Sequence, residues 1–147
     1  MNSVTQALFD TLNGDGTLTA LLGTHDLGAG AAASIFNGTI IYEQPEPTIY
    51  PYIVFNLISS NYDGVKNADA RELSYELLIA GGEALIYDME TLGTIAERIR
   101  VLLHKQALSI SGWTMVISIV DGPIYSTFDD QSVALSMNYT CKVYKDV

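Results

Sequence analysis

Cysteine is almost missing from this chain: Cys141 stands alone among 147 residues. A single thiol excludes an internal disulfide and rules against a zinc site built on cysteines. Histidine is nearly as scarce, with only His25 and His104. Neither sits in an H-x-x-x-H or H-E pattern, so the usual spacing of a histidine metal site is missing. Positive charge is sparse too: 7 Lys and Arg stand against 17 Asp and Glu, for a net charge of −10. Tight binding to nucleic-acid phosphates needs a basic patch that releases counterions, and this balance opposes one. No stretch approaches the roughly 18 uncharged apolar residues required to cross a bilayer. Met1-Asn2-Ser3-Val4-Thr5-Gln6 has no basic region leading into an apolar one, so the chain is expected to stay in the compartment where it is made. The signatures of common enzyme classes are missing as well. There is no G-x-S-x-G elbow and no P-loop. Gly28, Gly30 and the alanines after them lack the preceding strand that a dinucleotide fingerprint needs.

What is present is apolar patterning: 48% of the residues are hydrophobic, enough for the core of one domain spanning 1–147. Leu85, Met89, Leu92, Ile95, Ala96, Ile99, Leu102 and Leu103 recur at steps of three and four, predicting a long helix over about 83–105. Its eight core-facing side chains would gain on the order of 10–20 kcal/mol gross on burial, before chain entropy is subtracted. Glu90, Thr94, Glu97, Arg98 and Lys105 fall away from the stripe. Asp88 and Glu90 near its start, and Arg98, Arg100, His104 and Lys105 near its end, suit the helix dipole.

Around that helix lie strand-like stretches. Leu73, Tyr75, Leu77 and Ile79 alternate with polar neighbours, and so do Val133, Leu135, Met137, Tyr139, Cys141 and Val143. Strict alternation over 113–119 places Trp113, Met115, Ile117 and Ile119 on one face and Thr114, Val116 and Ser118 on the other. Asp121-Gly122-Pro123 is expected to end that strand, with 125–130 a loop. Ile53 to Ile58 is a strand by composition. Ile35-Phe36 and Ile40 to Tyr42 flank a hairpin signal at Asn37-Gly38, and 24–34 has no periodicity and is taken as a loop. A short N-terminal helix presents Val4, Ala7, Leu8 and Leu12. The expected fold is α+β: a mainly antiparallel sheet of about four strands, the long helix packed on one face, and a second face of small uncharged polar residues suited to self-association.

The candidate chemistry is thin. Asn13-Gly14-Asp15-Gly16 looks like the middle of a calcium loop, but Thr11 and Leu22 fall where carboxylates are required. A glycine-rich turn between two helices explains it better. His25 beside Asp26 could form half of an acid/base pair, and Asp129-Asp130 and Glu43 with Glu46 are carboxylate pairs with no apolar pocket beside them. No catalytic, cofactor or metal residue emerges, and the chain is expected not to be an enzyme.

Several pieces in order carry a family likeness: Leu18-Thr19-Ala20-Leu21-Leu22-Gly23, then Tyr50-Pro51-Tyr52-Ile53-Val54-Phe55, then Leu73 to Ile79, then the helix containing Ala96-Glu97-Arg98-Ile99, then the long C-terminal strand. Together they make the chain resemble the tail-completion, or tail-terminator, proteins of long-tailed bacteriophages and gene-transfer agents. It departs from them in its Ala/Gly-rich loop before Ser34 and its long segment from Leu108 to Asp130. The resemblance implies a structural subunit, not an enzyme, without cofactor. It would form a hexameric ring at the head-proximal end of the tail in the virion, assembled in the host bacterial cytoplasm. Its partners would be the tail tube protein and the head-completion or connector protein, with DNA passing through the lumen unbound and no membrane involved. Acidic loop residues would repel that DNA, and Asp63, Asp69, Asp129 and Asp130 are the candidates for lining the channel or the interface. A second reading is a small soluble binding module, calcium-responsive through residues 13–17; a remote third is a hydrolase using His25 and Asp26.

Overall fold

A computed structural model of the chain describes residues 2–26, 28, 30–38, 49–62, 69–83, 89–127 and 132–146. In chain order the elements are α1 (Asn2–Asn13), α2 (Gly16–Thr19), β1 (Thr24–Asp26), β2 (Ala31–Ala33), β3 (Ile35–Asn37), β4 (Tyr52–Tyr62), β5 (Ala70–Glu83), α3 (Met89–Leu103), β6 (Trp113–Thr127) and β7 (Ser132–Lys145). The architecture is α+β. The main sheet has five strands in the order β3-β4-β5-β7-β6. It is antiparallel throughout except for the short parallel pair β3 with β4.

The alternating patterns of β5 and β7 hold. Leu73, Tyr75, Leu77 and Ile79 are fully buried beside Leu135, Tyr139, Cys141 and Val143, and α3 covers them with Leu92, Ile95, Ala96, Ile99 and Leu103. The four large aliphatic side chains of α3 contribute roughly 6–12 kcal/mol gross by leaving water. α1 lies on the same face, with Val4, Leu8 and Leu12 at 0% exposure. Thr5 Oγ1 lies 2.8 Å from the Tyr75 hydroxyl and so gives that buried phenol a partner.

Five expectations are corrected. The described helix is Met89–Leu103, and Glu83, expected to open it, belongs to β5; Leu85, Asp88 and the rest of 84–88 lie outside the described residues. The Gly81-Gly82 pair, which by sequence alone marks a break before the helix, is a bulge of β5 between Ala80 and Glu83. A Cβ on Gly81 would stand 3.1 Å from Leu92 and Val133, so the helix sits directly on backbone there. Within 24–34, expected as a loop, β1 and β2 pair antiparallel, and such three-residue strands are too short to show periodicity. β3 pairs in parallel with β4, while the expected hairpin arm at 40–42 lies outside the described residues.

The fifth correction matters most. β6 does not stop at Asp121 but runs to Thr127, and it carries bulges between Met115 and Ile117 and between Asp121 and Ile124. One extra residue reverses every side chain beyond it. Trp113 and Met115 therefore face the core as expected, but past Val116 the core receives Ser118 and Val120. Ile117 and Ile119 turn outward at 44% and 40% exposure.

The second sheet face is accordingly less uniform than the sequence suggests. Its centre is Ser74, Ser136, Asn138 and Thr140 with Glu72, Glu76 and Lys142. One end carries an apolar cluster of Phe36, Ile49 and Val54 with Tyr50 and Tyr52 packed against it.

Candidate assembly surface

The Asn13-Gly14-Asp15-Gly16 turn is the first place where sequence distance and spatial proximity part. Asp15 caps α2 by accepting the Leu18 N–H at 2.8 Å. The same carboxylate takes Arg98 Nε at 2.8 Å and Nη2 at 2.7 Å in a two-pronged pair across 83 residues. The Arg98 hydrogen bonds hold the Asp15 carboxyl below its ordinary value of 3.8, against a desolvation that pushes the other way. Both oxygens are thus committed to tying α2 onto α3, which takes from the calcium reading the ligand it most needs. Asp15→Ala is expected to cost about 1–2 kcal/mol, the usual value of a lost cap, with solvent screening keeping the ion pair's own share small. Because the native pKa is the lower one, this stabilisation is present above pH 3.8 and is lost as pH falls through the depressed value. Thermal melts of parent and variant should therefore differ at neutral pH and converge in acid.

The two histidines have separate surroundings. His25 packs its ring 4.8 Å from Phe36, and Asp26 Oδ1 accepts the N–H groups of Gly28 at 2.7 Å and Gly30 at 3.2 Å within its own turn. His104 does more than complement a helix dipole: its Nδ1 accepts the Val120 N–H at 3.0 Å. That bond belongs to a seam along the margin of β6. Lys105 N–H donates to the Ser118 carbonyl at 2.8 Å, and Arg100 Nη2 donates to the Gly122 carbonyl at 2.8 Å. The Ser118 hydroxyl donates to the Leu103 carbonyl and lies 3.1 Å from the Tyr139 hydroxyl, which donates to Met115 Sδ at 3.4 Å. An edge strand's open backbone groups invite pairing with another chain, and here the end of α3 occupies the middle of that edge. Burial pushes the Cys141 thiol, beside this network, up to about 12, so it acts as a small inert filler.

Of the four acidic candidates, Asp63, Asp129 and Asp130 lie outside the described residues. Asp69 opens the approach to β5, with its carboxylate 3.5 Å from Arg71 Nε and both side chains 30% exposed. Glu43 and Glu46 also lie outside the described residues. Among the described residues no group of three His, Cys, Asp or Glu could hold a metal ion, and no helix is long and apolar enough to cross a membrane.

The sequence reading missed the exposed apolar side chains. Among the described residues Val116, Ile117, Ile119, Ile124 and Tyr125 lie exposed on β6, Leu57 and Ile58 on β4, and Val101 on α3. A surface of this kind marks an assembly or binding face more often than a catalytic one.

The fold has a solved counterpart. A chain in the structure described as "Virion of native gene transfer agent (GTA) particle" superposes with a TM-score of 0.71. The match covers 97% of this chain and 96% of that one, at 14% sequence identity. No family model matches the sequence, and no curated protein does. At this identity the likeness shows a shared fold over the whole length of both chains. The divergence explains why recognition from sequence rests on short pieces such as Pro51 to Phe55 and Ala96 to Ile99. Those pieces lie at the start of β4 and on α3, and Ile53, Phe55, Ala96 and Ile99 among them are core residues.

Proposed function

We propose that this protein is a non-enzymatic structural subunit of a phage-like particle, and more specifically its tail terminator. In that role it is a ring that caps the tail tube and joins it to the head connector. The observation that carries the reading is the end-to-end fold likeness to a chain of a gene transfer agent virion, with neither chain left substantially uncovered. The family likeness of the sequence supplies the finer role. Two features support it. Apolar side chains are exposed on β4 and on β6, toward opposite margins of one sheet, which suits a subunit with two neighbours. The chain is also strongly acidic at −10, which disfavours sticking to DNA that passes through a lumen.

The test is to inactivate the gene in the element that carries it and image the particles by electron microscopy. Tails of uncontrolled length and heads without tails are expected, with restoration by a second copy of the gene. Particles of normal length, joined normally, would end the terminator role.

A further inference from the structure

We propose that copies of this chain join head to tail, the bulge of β4 on one copy seating in the groove beside β6 on the next. This interface rests on the ring reading above and gives it a location. The strand order places β6 at one margin of the sheet. At the other margin β3 pairs with residues 53–55, and among the described residues no strand pairs with β4 on that side from Asn56 onward.

The two margins are unlike and fit each other. Ile58 is the extra residue of the bulge between Leu57 and Ser59, so it has no cross-strand partner and projects at 61% exposure, next to Leu57 at 40%. The β6 margin instead has a groove of about 320 Å³ between residues 115–119 and 105–107, with Val116 on its wall at 54% exposure. α3's end already satisfies the backbone at Ser118, Val120 and Gly122, so this margin is poorly suited to adding a strand and suited to receiving side chains.

Charge points the same way. Of the six described Lys and Arg residues, Arg71 and Arg98 face Asp69 and Asp15. Arg100 on the Gly122 carbonyl and Lys105 on the groove lie at β6, and Lys142 and Lys145 of the neighbouring β7 stand opposite Ile117 and Trp113, with Lys142 also opposite Glu72 of β5. Asp121 is the single carboxylate of β6. At the other margin Glu72 and Glu76 stand opposite Asn61 and Asn56 of β4. In an acidic protein, a basic-rimmed groove and an acid-backed apolar knob steer one margin toward the other and away from itself. Such an interface is heterologous, and repeating it closes a ring when the rotation allows.

The experiment uses the full chain in two variants, Ile58→Asp and Val116→Asp, with sedimentation and native mass measurement over a concentration series. Both positions are exposed, and circular dichroism with a thermal melt verifies that each variant folds like the parent. The parent should gain mass with concentration, and each variant alone should stay monomeric. Their equimolar mixture should form dimers and nothing larger, because it holds one intact knob and one intact groove. A parent that is monomeric at its highest soluble concentration overturns the proposal. So do variants that assemble like the parent, or a mixture no more associated than its components. The two readings fail separately. If copies join as stated but gene inactivation leaves particles normal, the terminator role falls and the interface stands. If inactivation spoils particles that both variants rescue, the interface falls and the role stands.

Discussion

Ile95→Asp should leave too little stability for a cooperative native state at ambient temperature. Ile95 is fully buried near the middle of α3, in the same apolar cluster as Leu77, Leu135 and Met137. A carboxylate there meets no described cation, and an unpaired polar or charged group in such a place costs several kcal/mol. Loss of the aliphatic contacts adds about 2 kcal/mol or more. A domain of this size has on the order of 5–15 kcal/mol in total, so the substitution removes most of it. Urea unfolding followed by circular dichroism measures the loss, with Glu97→Ala on the exposed side of the same helix as control, expected within about 0.5 kcal/mol of the parent. A variant that unfolds at the parent's urea midpoint would mean that the helix does not pack on the sheet through this face.

The second large effect is a contrast between neighbours. Val120→Asp should destabilise by roughly 3–5 kcal/mol, whereas Ile119→Asp should cost less than about 1 kcal/mol. Val120 is 1% exposed and points under the sheet, while Ile119 is 40% exposed on the other side. Plain alternation from Trp113 predicts the reverse, because it places Ile119 in the core. The pair of measurements therefore reads out the bulge at Val116 directly. Equal losses, or a larger loss at Ile119, would put the strand in the unbulged register.

How much of this was legible in the sequence depends on the range of the information. The α3 stripe, the faces of β5 and β7 and the N-terminal helix were readable, because each follows from a local period; in α3 burial bears out Leu92, Ile95, Ala96, Ile99 and Leu103, while Met89 and Leu102 are half-buried and Leu85 lies outside the described residues. The turn at residues 13–16 was readable as a turn, but not as a clamp. Arg98 looks like one more solvent-facing cation until α2 and α3 are brought together around Asp15. His104 likewise shows nothing in sequence to indicate that its ring will accept the Val120 N–H. Ser118 looks like an outward polar residue and becomes a buried link between Leu103 and Tyr139.

The candidate surface was the least legible part. Acidic loops drew attention because charge is visible in a string of letters. The isoleucines of β6 did not, because their pattern fits a buried face once no bulge is assumed. A bulge is set by how two strands accommodate each other, by the Gly122 backbone at φ +104° and by the end of α3 pressing on the edge. None of these is a property of a short window of sequence.

By itself the sequence determined the class of fold, the faces of most of its regular elements and the scarcity of cysteine, histidine and positive charge. Periodicity, composition and charge are local or additive quantities, and a chain has them before it folds. Tertiary structure alone decided which hydrophobic residues remained outside, which margins of the sheet stayed open, and which polar groups were used to close the rest. Those outcomes depend on a one-residue register between strands distant in sequence, and a single extra residue reverses what faces water.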